Sequence, residues 1–61
     1  MKAILTIEMD NAAFEPSNGQ ELGRILEDLA RRVGYSALLP TDSYRAVDAN
    51  GNTVGRLEIT D

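Results

Sequence analysis

Apolar and polar residues alternate along the opening stretch KAILTIEMD, with Ala3, Leu5, Ile7 and Met9 on one side and Lys2, Ile4, Thr6 and Glu8 on the other. A period of two predicts a strand with one buried face. Ile4 breaks the pattern, so the second face is not given wholly to water. The alternation ends at DNAAFEPSNG, where Pro16 discourages regular structure and Phe14, the only phenylalanine, is expected to plug one end of the core. From Ser17 the period changes. Ser17 and Gln20 have the spacing of a capping box, and QELGRILEDLARRV sets Leu22, Ile25, Leu26, Leu29 and Val33 on one helical stripe. Arg24, Glu27, Asp28, Arg31 and Arg32 take the opposite face, where Glu27 to Arg31 and Asp28 to Arg32 are ion pairs one helical turn apart in the favourable order. Glu21 near the start and the arginines near the end complement the helix dipole. Gly34 is expected to stop the helix, with Tyr35 folding back onto its last turn.

YSALLPTD is too apolar at Leu38 and Leu39 to be left in water, and Pro40 bars a long helix or central strand. It reads as a crossover covering one end of the core. SYRAVD and TVGRLEIT then alternate again on either side of turn residues, which predicts a β-hairpin. The chain is therefore read as one α+β domain over residues 1–61, of order β-α-β-β. Its three-stranded sheet is antiparallel in the preferred spatial order 1-3-2, with 1-2-3 as the alternative, and the amphipathic helix lies on one face.

Two registers compete for the hairpin. A two- or four-residue loop at Asn50-Gly51 sets Val47 opposite Val54 and Tyr44 opposite Leu57, whereas a three-residue loop with Gly51 left-handed sets Asp48 opposite Asn52. Asp48 could cap the turn of the second form. The alternation favours the first, because a one-residue slip sends a whole strand's side chains to the wrong face. In that register Tyr44, Ala46, Leu57 and Ile59 face the helix. Arg45, Val47, Val54, Arg56 and Glu58 then share the open face with Ile4, Thr6 and Glu8, and these eight residues form the candidate interaction surface.

Composition narrows the function. A chain of 61 residues buries only about 60% of the surface its unfolded form exposes. It has no cysteine and no histidine, which removes disulfides, thiolate and imidazole metal sites and the usual general base together. No enzyme chemistry, cofactor or small-molecule ligand is inferred. Ten acidic against six basic residues give a net charge of -4, which works against direct binding to nucleic acid or an anionic membrane. With no membrane-length apolar run and no signal-peptide pattern, a cytoplasmic location is expected.

Three features are candidates for chemistry. DANGN starts like a calcium loop, with Asp48, Asn50 and Asn52 at alternate positions, but glycine falls at the fourth position and Ile59 stands where a bidentate glutamate is needed. A turn is the better reading. Arg45 and Arg56 face one another in the preferred register, as an anion site or, more simply, as a pair neutralised by Glu8 and Glu58. Gly23 and Ala30 form a smooth strip on one flank of the helix, to be covered by Leu38–Pro40 or by a second protein.

DNAAFE, ELGRILEDLARRV and DANGNTVGRLEI, taken together, resemble short uncharacterised proteins of bacteria, phages and prophages. The resemblance spans most of the chain outside SALLPTDS and carries no catalytic residue. It implies an accessory or mobile-element setting, in which small acidic proteins bind and block other proteins. The leading expectation is a non-enzymatic acidic interaction module, self-associating (a homodimer) or protein-binding through the open sheet face or the first-strand edge. The alternative is a mobile-element inhibitor or regulator of a nucleic-acid-handling system, acting by acidic mimicry.

Overall fold

The computed structural model describes all 61 residues. Strand β1 spans Lys2–Ile7, helix α1 Asn18–Val33, β2 Ser43–Val47 and β3 Thr53–Thr60, with a short 3-10 turn at Ala12–Phe14. The sheet is antiparallel throughout, in the order β1-β3-β2, the preferred of the two expected orders. Ser17 caps the helix, accepting a hydrogen bond from the Gln20 N–H at 3.4 Å.

The core gathers at one end of the sheet. Phe14, Ile25, Leu29, Ala46 and Val54 form the buried cluster, with Ile7, Met9, Tyr44 and Leu57 packed around it. Phe14 does plug that end, and Ala46 and Ile59 are buried on the helix side. The molecule is long for its size. Its radius of gyration is 12.0 Å, against about 10.5 Å for a compact chain of this length.

The hairpin combines both registers. Gly51, at φ 86°, donates to the Asp48 carbonyl at 3.1 Å, and the Asp48 N–H donates to Asn52 O at 2.9 Å, so the tip is the three-residue loop. Further in, Ala46 faces Gly55, Arg45 faces Arg56 and Tyr44 faces Leu57, which is the register of the shorter turn. A β-bulge joins the two: Val47 pairs with Thr53, and Val54 is the extra residue of β3. A bulge turns two successive side chains toward one side of the sheet. Val54 therefore joins the core at 8% exposure and does not face Val47 on the open side, contrary to the alternation. Gly55 follows because no other residue fits, since a β-carbon there would overlap the Thr6 carbonyl oxygen of β1.

The helix is rotated relative to its apolar stripe. Glu21, Ile25 and Leu29 are buried, whereas Leu22 and Val33 are only half-buried and Leu26 is 42% exposed. The helix stops at Gly34 as expected, whereas Tyr35 and the strip at Gly23 depart from expectation. Gly34 keeps right-handed helical backbone, at φ −62°, because its N–H still donates to Ala30 O. Tyr35 is 99% exposed and does not fold back. Nothing lies over Gly23, because Leu38–Pro40 turns away to meet β3: the Thr41 N–H donates to Ile59 O at 2.8 Å and the Ile59 N–H to Asp42 O at 2.9 Å. Leu39 is consequently exposed, and Thr41 holds a positive φ of 80° that a β-branched residue adopts only under strain.

Two glycines should respond oppositely to alanine. Gly23→Ala, in a helix position with free space around it, should raise stability in urea unfolding by about 0.5–1 kcal/mol. Gly55→Ala should lower it by more than that, because the obstacle is backbone that cannot move aside. Equal effects at the two sites would contradict the bulge geometry.

Candidate functional site

The open face assembles from the register. Ile4 faces Glu58, Thr6 faces Arg56 and Arg56 faces Arg45, so Ile4, Thr6, Arg45, Arg56 and Glu58 lie together and all are exposed. Glu8 extends the same row, its N–H donating to Val54 O at 2.7 Å. Val47 is half-buried on this side, and Val54 is absent from it. The face is thus more polar than the alternation implies, with Ile4 as its large exposed apolar residue.

The arginine pair is satisfied differently from expectation. Arg45 donates to the Thr53 hydroxyl at 3.3 Å and Arg56 to the Ser43 hydroxyl at 3.1 Å. Neither Glu8 nor Glu58 forms a salt bridge with them, since the bulge places Thr53 and not a carboxylate beside Arg45. The ion pairs lie on the helix instead, as Arg24–Glu21 at 3.0 Å and Arg32–Asp28 at 2.8 Å, while Glu27 and Arg31 do not pair.

These helix arginines do more than balance charge. Backbone groups of successive β-residues point alternately to the two neighbouring strands. In β2, Tyr44 and Ala46 turn theirs toward β3, while Arg45 and Val47 turn theirs outward. Arg32 donates to the outward Arg45 carbonyl at 2.6 Å and Arg24 to the outward Val47 carbonyl at 2.9 Å. Side chains of α1 thereby hold two outward carbonyls of the β2 edge.

The β1 edge has no such cover. Lys2, Ile4, Thr6 and Glu8 direct their backbone groups to β3, so those of Ala3, Leu5 and Ile7 point away into solvent. Leu5 is 39% exposed beside that edge, on the helix side of the sheet. Leu22, Leu26 and Val33 occupy the helix flank opposite the β2-facing arginines, turned toward the same side. The strand alternation places Leu5 in the core, and the helical stripe places Leu26 there. Only the helix rotation, which sequence does not reveal, leaves them open.

The stretch DANGNTVG is a structural hub. Asp48 is buried and accepts from the Asn50 N–H at 2.9 Å, the Asn52 N–H at 2.8 Å, the Asn11 amide at 2.7 Å and the Asn52 amide at 3.4 Å. Asn11 also caps the 3-10 turn, accepting from the Ala13 N–H at 2.9 Å, and so ties the hairpin tip to the segment that carries Phe14. One residue on, the Ala49 N–H donates to buried Glu21 at 2.8 Å. Both oxygens of Asp48 are engaged by the turn, and no cluster of three or more acidic side chains is placed to hold a metal ion.

Burial works to raise the Asp48 pKa, but the donors from Asn52, Asn11 and Asn50 outweigh it and hold the carboxyl below its ordinary 3.8. Hydrogen bonding from Arg24, and then from the Ala49 N–H, lowers Glu21 below its ordinary 4.5 against the opposing effect of burial. No helix is long and apolar enough to cross a membrane. Comparison of the chain with protein-family models, with curated proteins and with solved structures gives no match.

A depressed folded-state pKa contributes stability that is complete above the unfolded value and is lost as pH falls through the folded one. The thermal midpoint should therefore fall as pH drops from about 5 toward 2. Asp48→Asn should be less stable at neutral pH and show a shallower fall. An unchanged slope would place the acid-sensitive groups elsewhere.

Proposed function

We propose that the chain is a small, non-enzymatic, acidic interaction module that self-associates through the edge of β1. The observation that carries this reading is the contrast between the two sheet edges. Arg24 and Arg32 hold the outward carbonyls of Val47 and Arg45 in β2, whereas Ala3, Leu5 and Ile7 present unpaired backbone groups with no side-chain hydrogen bond to them. An open edge strand is a template for an added strand, and natural sheets that stay single shield such edges. Shape supports it as well, because a 61-residue chain with an extended outline and a core of five clustered residues gains buried area by association.

The open face supports association less than the edge does. Val54 is in the core and Val47 half-buried, so the apolar content of that face is mainly Ile4. The rival reading, acidic mimicry by a mobile-element regulator, has fewer charges to draw on than the sequence offers. Glu21 is buried against Arg24, and Asp28 is neutralised by Arg32.

Sedimentation velocity across the micromolar range tests the proposal. The protein should associate, and Ala3→Pro should return it to monomer: the Ala3 N–H points away from β3, so proline there blocks an added strand without removing a bond within the sheet. Ile4→Lys on the open face should matter less. A wild-type protein that stays monomeric throughout would overturn the reading.

A further inference from the structure

Resting on that reading, we infer that the strand received by β1 is β1 of a second copy, antiparallel, with Leu5 opposite Leu5 on the two-fold axis. Three registers bring the outward-pointing residues of two such strands into hydrogen-bonding phase, centred on Ile4, Leu5 or Thr6. Centring on Leu5 pairs Ala3 with Ile7 of the second copy, Leu5 with Leu5 and Ile7 with Ala3, so every free backbone group of the edge finds a partner. Centring on Ile4 leaves Ile7 to pair with Met1, and centring on Thr6 leaves Ala3 to pair with Met9, beyond the strand.

Charge selects the same register. On the open face, centring on Leu5 sets Lys2 opposite Glu8 of the second copy, twice by symmetry, with Ile4 opposite Thr6 between them. The other registers set Lys2 against Thr6, or leave Glu8 against Ile4. Opposite charges directly across an antiparallel pair are favourable, and Lys2 and Glu8 have no salt-bridge partner within their own chain. On the helix side the two Leu5 side chains cover one another, which accounts for a leucine left 39% exposed in the single chain.

The assembly closes at two copies. Its continuous sheet runs β2-β3-β1-β1-β3-β2, and both outer edges are β2 strands whose Val47 and Arg45 carbonyls are already held by Arg24 and Arg32. A two-fold contact uses the same patch on each partner and leaves none over. The bare edge and the covered edge are thus complementary parts of one design, in which a dimer forms and a fibre does not.

Charge reversal and cross-linking test the register in the full chain. Lys2→Glu and Glu8→Lys should each weaken dimerisation about tenfold, and the two together should restore it. Because the chain has no cysteine of its own, Leu5→Cys should form a covalent dimer under oxidised glutathione. Ala3→Cys and Ile7→Cys should link only when mixed with each other. A wild-type dimer that is abolished by Ala3→Pro, yet shows neither the rescue nor this cross-linking pattern, would overturn the register and leave the module reading standing. A monomer at every concentration would overturn both.

Discussion

The Glu21 carboxylate sits on the buried flank of α1, and the way its charge is satisfied governs the placement of the elements around it. Arg24 meets it through two bonds, at 3.0 and 3.1 Å, and each partner of the pair holds one backbone atom of the hairpin. Glu21 accepts from the Ala49 N–H and Arg24 donates to the Val47 carbonyl. A carboxylate this well enclosed cannot be released to water without breaking the dock between helix and hairpin. The helix is consequently turned so that its Glu21–Ile25–Leu29 edge is buried, with Arg24 and Arg32 beside β2 and Leu22 and Leu26 on the opposite flank.

That rotation explains the difference between the sheet edges. The arginines that satisfy the helix also cover the outward carbonyls of β2, and nothing in the chain is left to cover β1. An edge of this kind is normally shortened, charged or hidden. Along β1 and the residue after it the charges stand at the two ends, Lys2 and Glu8, with Ile4 and Thr6 between them, which is an arrangement that repels no antiparallel copy of itself. Asp48 plays the matching part at the hairpin tip, holding the turn and, through Asn11, the segment that brings Phe14 into the core.

Much of this fold can be read from residue patterns, because period and position determine it. The helix, the three strands and the Arg45–Arg56 juxtaposition follow from alternation, from the stripe at Leu22–Val33 and from the turn at Asn50-Gly51, and the crossover rule favours the observed strand order. What escapes is set by tertiary contact. The bulge at Val54 is invisible because it satisfies two demands at once, the Asp48-capped loop and the apolar register, and pattern reading treats these as exclusive. Glu21 reads as a helix-start charge, since its distant partner Ala49 lies 28 residues away. Of the eight residues assigned to an interaction surface, six are exposed on the expected side, Val47 is half-buried there, and Val54 is lost to the core. The edge-forming Ala3, Leu5 and Ile7 were legible as one row of β1, but their freedom depends on where α1 settles.

Amide hydrogen exchange, followed residue by residue over a range of protein concentrations, tests the central claim most directly. The N–H groups of Ala3, Leu5 and Ile7 should gain protection as concentration rises, while those of Arg45 and Val47 on the β2 edge stay as they are. Protection that grows at β2 instead, or at neither edge, would contradict the account.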